Sequence, residues 1–313
     1  MKENKKNATE DYRIVTNIQR LKKLQHDVAQ VGYSPDKVVQ TILTGGYRSK
    51  LRGRGMEFEE VRNYVRGDDI RNIDWKVTGR TDALHSKVFT EERERPVFII
   101  TDQSRSMDFG TDEFLKSVIA SEASAIITWK ILAVGDRVGG IIYNDTEHNY
   151  FTPRKSKSHA LSMVSELAKY NKMLRCKEPT KKRQSHFDQI LFEVKKRVTH
   201  DYLIIWISDF NELKETDHKG IVELNEHNDV ILIRVKDKME EHLDLSNITY
   251  TDGERQLRFT DVMEKQKEKA YNYFKEKRQN FKRLSQHYPI TTLELNTSID
   301  TTHQFKEILR KSR

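Results

Sequence analysis

Five short apolar runs rich in β-branched residues punctuate the chain, at residues 97–101, 138–143, 203–207, 230–235 and 290–295. Each is the length of one buried strand, and between them lie longer stretches whose hydrophobes recur at three- and four-residue intervals. The run Phe114, Leu115, Val118, Ile119, Ala123, Ile126, Ile127 and Ile131 is the clearest of these. Apolar runs without alternation bury both faces of a strand, and helices returning over a sheet supply that cover. The pattern predicts an α/β fold, a doubly wound and mostly parallel sheet. His148 to Phe151 reads as an antiparallel edge strand after the Asn144-Asp145 turn, and residues 250–259 as a hairpin.

In such sheets ligands bind beyond the carboxyl ends of the strands, where the winding reverses. The first apolar run ends in Asp102, and oxygen-bearing side chains follow at alternate positions, Ser104 and Ser106. The third run ends in Ser208-Asp209, so a second carboxylate falls on the same rim. Carboxylate and hydroxyl oxygens suit a hard cation such as Mg²⁺ (or Mn²⁺), whereas the structural alternative is that they close turns and cap the next helix. Thr111, ahead of Asp112 and Glu113, is the expected cap of that helix. With neutral serines, only Asp102 and Asp209 bring negative charge to the site. A cation held there stays electrophilic and can take a partner's carboxylate in an open position. Asp209 is expected to supply charge without a packing role. No placed base or nucleophile accompanies these residues, so the chemistry is that of binding and not of an enzyme.

Composition narrows the setting. Of 313 residues, 36% are hydrophobic and 33% charged, which is a heavily solvated chain. No stretch is expected to reach the roughly 18 apolar residues of a membrane span. Cys176 stands alone and no secretory signal is visible at the start, which points to the cytoplasm. A net charge of +8 invites a nucleic-acid reading, yet basic and acidic residues interleave nearly everywhere.

Three regions are expected: an N-terminal helical segment over residues 1–44, a β-rich segment over 45–95 packed on the main domain, and the α/β domain over 96–313. In the first, Ile14, Ile18, Leu21, Leu24, Val28 and Val31 form one helical stripe suited to packing on the chain's own domain. Ser34-Pro35-Asp36 opens a second helix. The second region holds twelve basic and ten acidic residues. Its glycine-flanked Arg48, Lys50, Arg52 and Arg54 are the alternative nucleic-acid surface, but a phosphate-tracking surface would show a net positive stripe. Asp68, Asp69 and Asp74 are the alternative carboxylate cluster of a metal-dependent phosphohydrolase. Structural pairing with Arg66, Arg71 and Arg80 is the favoured reading, with Trp75 buried as an anchor.

The run Arg48-Ser49, Arg52-Gly53-Arg54-Gly55-Met56-Glu57-Phe58, Arg62, Tyr64, Gly67-Asp68-Asp69, Arg71, Ile73-Asp74-Trp75 and Glu91 to Arg95 carries a resemblance. With Asp102-x-Ser104-x-Ser106 and Ser208-Asp209, it resembles a bacterial von Willebrand factor A-like family catalogued as domain of unknown function fifty-eight. The resemblance covers residues from about Tyr33 to near the C-terminus. It implies a Rossmann-like sheet, a metal-ion-dependent adhesion site, and a MoxR-type AAA+ ATPase as partner in a chaperone-like complex. The implied ligands are Asp102, Ser104, Ser106 and Asp209, with a second-loop hydroxyl for which Ser185 fits best and Thr180 next. Together these imply a non-enzymatic, divalent-cation-dependent protein-interaction module that recognises an acidic residue on its partner.

Overall fold

The computed structural model describes residues 11–29, 56–81, 83–91, 95–174, 187–241, 249–251, 256–258 and 264–311. The chain divides into two compact units, one made of Met1–Arg48 with Pro96–Arg313 and the other of Ser49–Arg95.

In chain order the described elements begin with α1 (Ile18–Ala29), β1 (Met56–Asn63), α2 (Trp75–Thr81) and β2 (His85–Glu91). Next come β3 (Val97–Asp102), α3 (Lys116–Val134), β4 (Val138–Tyr143), β5 (His148–Arg154), α4 (Lys157–Leu174) and α5 (Phe187–Arg197). After them follow β6 (Leu203–Ser208), α6 (Glu215–His227), β7 (Asp229–Lys236), α7 (Lys238–Glu241), β8 (Thr249–Thr251) and β9 (Gln256–Arg258). The chain closes with α8 (Glu264–His287), β10 (Thr291–Asn296) and α9 (Thr301–Lys311).

All five apolar runs enter one six-stranded sheet of order β10-β7-β6-β3-β4-β5. Every pairing in it is parallel except β4 with β5. This is the mixed α/β, mostly parallel sheet that the run pattern predicts, and the antiparallel edge falls where the Asn144-Asp145 turn places it. Alternation within each strand feeds two layers. Val97, Ile99, Leu203, Ile205, Ile231 and Ile233 pack with α1, α3, α4 and α9, while Phe98, Ile100, Ile204, Trp206 and Leu232 pack with α5, α6 and α8. Gly140 is required where β4 bulges against β5, since a Cβ there would lie 1.8 Å from the Ile99 carbonyl oxygen.

Helix α3 is the central element and is buried nearly all round. Contrary to the sequence expectation, it is long and apolar enough to cross a membrane by length and composition. It is nonetheless mostly buried, the position of a core helix. It starts at Lys116, after an uncapped Leu115, so Thr111 is not its N-cap. Thr111 instead donates its amide and hydroxyl to Asp237. Helix α1 belongs to the same unit: Leu21 and Leu24 are fully buried in its core, and the Trp129 indole donates to the Leu21 carbonyl at 2.9 Å. The residues read as a second N-terminal helix lie outside those described. Strands β8 and β9 pair as the expected antiparallel hairpin.

In the smaller unit β1 and β2 form an antiparallel pair running from Met56↔Glu91 to Asn63↔His85, with a bulge between Phe58 and Glu60. Trp75 is not buried there; it is 67% exposed. The Asp74 carboxylate accepts the amides of Lys76 and Val77, so the chain turns into α2 at the tryptophan itself. Ile73, bridged to Ser86, takes the interior place instead.

Candidate metal centre

Strand β3 lies between β4 and β6, and the chain winds outward from it in both directions. The carboxyl ends of β3 and β6 therefore form the switch point of the sheet. Asp102 ends β3, and Ser208 ends β6 with Asp209 next. The two strands are paired in register up to Thr101↔Ile207, which brings the two carboxylates to one crevice.

The loop after β3 folds back on Asp102. The Ser104 amide donates to Asp102 Oδ1 at 2.8 Å, and a single helical turn over Arg105–Met107 follows. Ser104 Oγ and Ser106 Oγ then lie 3.1 Å apart. From β6, Ser208 Oγ donates to Asp102 Oδ2 at 2.6 Å and accepts the Phe210 amide. Asp209 accepts the backbone and side-chain amides of Asn211, each at 2.9 Å, and Ser106 lies beside it. Asp102, Ser104, Ser106 and Asp209 thus converge as their strand-end positions imply. Ser185 and Thr180 lie outside the described residues.

Phe210 forces this turn. It is a buried non-glycine residue with φ 55°, a left-handed conformation costing on the order of 1–2 kcal/mol. It is held there by stacking on Phe281 at 5.0 Å and by contacts with Trp206 and Phe187. Strain held by surrounding packing is the usual way a loop carries a residue that the backbone alone would place elsewhere.

Two residues that the sequence reading missed change the electrostatics. Lys116, 1% exposed at the start of α3, donates from Nζ to Asp209 Oδ2 at 2.8 Å and to Glu240 Oε1 at 2.7 Å. The face of Phe109 covers the ammonium at 5.5 Å. Asp102 and Asp209 are therefore not the only negative groups; Glu240 is a third. Asp209 also has a structural role, since it is the partner of a buried lysine. Lys116 could have been suspected as a charge at the start of a mostly apolar helix, whereas nothing local marks Glu240.

The three carboxylates fare differently. For Asp209, burial alone would raise the pKa, but the charge and hydrogen bond of Lys116, the Asn211 amide and Ser106 hold it below the usual carboxylate range. Burial would likewise lower Lys116, yet Asp209 and Glu240 raise it well above the ordinary lysine value. Among the described residues, Asp102 has no such partner. Burial first, and the negative charge of Asp209 second, push it up to about 7 despite hydrogen bonds from Ser208 and Ser104.

These residues fit a small, hard dication. The donors are all oxygens, each Asp102 oxygen keeps a lone pair beyond its hydrogen bond, and the two serine hydroxyls stand about one octahedral edge (~3 Å) apart. Among the described residues, no three His, Cys, Asp or Glu side chains gather as a conventional metal cluster.

The carboxylates of the smaller unit are engaged locally. Asp68 pairs with Arg62 at 2.7 Å and accepts the Val65 amide, and Asp69 accepts the Arg71 amide. Asp74 caps α2 and lies 3.6 Å from Lys87. Their side-chain partners among the described residues are Arg62 and Lys87 and not the expected Arg66, Arg71 and Arg80. Arg48, Lys50, Arg52 and Arg54 lie outside the described residues.

Fold and site define a class: a doubly wound α/β domain with an oxygen-lined crevice at its switch point. Within that class, the family described as Protein of unknown function DUF58 matches residues 60–282, and the chain belongs to it. The chain is 34% identical over 127 residues to uncharacterized proteins of Mycobacterium bovis and Mycobacterium tuberculosis. These matches cover 41% of this chain, and the chain spans 40% of the length of those relatives. Among solved structures, the conserved hypothetical protein BatB from Bacteroides thetaiotaomicron is similar over 70% of this chain and 98% of its own, with a TM-score of 0.39 and 14% identity.

Proposed function

We propose that this protein is a non-enzymatic, divalent-cation-dependent protein-interaction module of the von Willebrand factor A type. The observation that carries the reading is a charge imbalance in a buried place. Three buried carboxylates, Asp102, Asp209 and Glu240, gather at the crevice, and the Lys116 ammonium is bonded to Asp209 and Glu240 but not to Asp102. Ser104 and Ser106 supply neutral oxygens beside it.

Mg²⁺ or Mn²⁺ is held by Asp102, Ser104 and Ser106, with Asp209 behind them and Ser185 or Thr180 as the second-loop hydroxyl. When bound, such an ion supplies an electrophilic position that accepts a carboxylate oxygen. The residues of this chain fix where that position lies: Ser208 orients Asp102, the Ser104 amide closes the loop, and Phe210 aims Asp209. The partner presents an acidic residue, and a cytoplasmic MoxR-type AAA+ ATPase is the partner the family resemblance supports.

Capture of a purified MoxR-type ATPase on the immobilised full chain tests this reading. Capture is expected in Mg²⁺, lost in excess chelator, restored by Mn²⁺, and weakened at least about tenfold, or about 1.4 kcal/mol, by Ser104→Ala with Ser106→Ala. Capture unaffected by chelator and by the double substitution would leave the crevice without this role.

A further inference from the structure

We infer that Lys116 is the positioning residue that sets the charge of the crevice, and so how tightly it grips a cation; this rests on the cation-binding reading above. The ammonium is enclosed. Asp209 Oδ2 lies on one side at 2.8 Å, Glu240 Oε1 on another at 2.7 Å, and the Phe109 ring covers it at 5.5 Å. With 1% of its side chain exposed it cannot reach a partner, so its influence on binding is exerted through Asp209.

That influence has a definite sign. Asp209 Oδ2 already accepts from Lys116 and from the Asn211 side chain, and Oδ1 accepts the Asn211 amide. The carboxylate is half neutralised and locked in orientation, and it adds less pull on a nearby dication than an unpaired aspartate would. Glu240 offsets part of the lysine charge from behind. It is anchored by its own neighbours, since Asn211 Nδ2 lies 3.4 Å from Oε1 and the Asp237 amide donates to Oε2 at 3.3 Å. The trio is an internal ion pair plus one surplus carboxylate. A crevice tuned this way holds its cation loosely and leaves it short of negative charge, which favours an added carboxylate from outside.

A charge series on the full chain tests this, with MgCl₂ titrated by calorimetry and by shift of the melting temperature. Lys116→Met removes a positive charge and is expected to tighten Mg²⁺ binding on the order of tenfold. Glu240→Gln removes a negative charge and is expected to weaken it by a similar factor. Lys116→Met with Glu240→Gln restores the balance and should return close to wild type. If the single lysine variant does not fold, the other two carry the ordering. Affinities equal to wild type in every variant, with wild type binding normally, would overturn the inference and leave Lys116 a purely structural ion pair. Mg²⁺ binding by Lys116→Met but not by wild type would uphold it while contradicting the proposed function. Binding by no variant would remove both.

Discussion

Carboxylates beside loops and basic residues occur in both units, yet they sit in opposite physical situations. In Ser49–Arg95, Asp68 and Asp74 pair with Arg62 and Lys87, whose side chains are about 40% exposed, and both carboxylates also take backbone amides. At the ends of β3 and β6, Asp102, Asp209 and Glu240 are at most 5% exposed. Exposed pairs gain little, because water and salt screen them and ordering two side chains costs entropy. Buried ones must be compensated or stay uncharged. The contrast separates exposed carboxylates that shape turns from buried ones that depend on a counter-charge.

The largest expected effect breaks the buried side of this contrast. In the absence of divalent cations, Lys116→Met should lower unfolding free energy by about 3–5 kcal/mol, because Asp209 and Glu240 are left buried without their counter-ion. Urea denaturation measures it, and Asp68→Asn in the same assay should stay close to wild type. Similar losses in both variants would erase the distinction.

Next comes the aromatic support of the crevice. Phe210→Ala removes a ring packed on Phe281, Trp206 and Phe187 and keeps the left-handed φ, so a loss of about 3 kcal/mol is expected by urea denaturation. An unchanged midpoint would mean that the aromatic cluster does not hold the Asp209 turn.

On the exposed side, Asp74→Ala removes the cap of α2. A small fall in melting temperature is expected, of equal size with and without Mg²⁺. A fall that appears only in Mg²⁺ would tie this segment to the metal centre.

The smallest effect is a pH dependence away from both. Asp217 accepts the Lys214 amide at the start of α6, and burial, followed by the neighbouring Asp188, raises its pKa to about 6. The folded state then binds more protons than the unfolded state between about pH 4 and 6, so this group's contribution to stability falls as pH rises through that window. Asp188 is held low and acts in the opposite sense only at more acid pH. The urea midpoint of Asp217→Asn should decline less than that of wild type between pH 4.5 and 6.5. Parallel declines would remove Asp217 as the cause.

What was legible in the sequence follows from how local its cause is. Residues 97–101 and 203–207 announce strands because β-branched residues suit a sheet buried on both faces, and Asp102 and Asp209 announce a rim because they end those runs. The alternation of Ser104 and Ser106 after Asp102 places both hydroxyls on one turn. Lys116 and Glu240 gain their meaning only from contacts 93 and 124 residues distant along the chain, which no local pattern encodes. Thr111 looked like a cap because it precedes two acids, but Asp237 offers it a buried carboxylate from the end of β7. Trp75 looked like an anchor because of its size, yet the Asp74 cap starts a helix at that residue and gives the interior to Ile73.

The most direct measurement is an anomalous difference map from crystals of the full chain grown in Mn²⁺. A single strong peak is expected beside Asp102, Ser104 and Ser106, within the roughly 2.0–2.3 Å ligand distances of a hard dication, with Lys116 still bonded to Asp209. A map with no peak in that crevice, or with Mn²⁺ bound only among Asp68, Asp69 and Asp74, would contradict the assignment of the strand-end carboxylates as the metal centre.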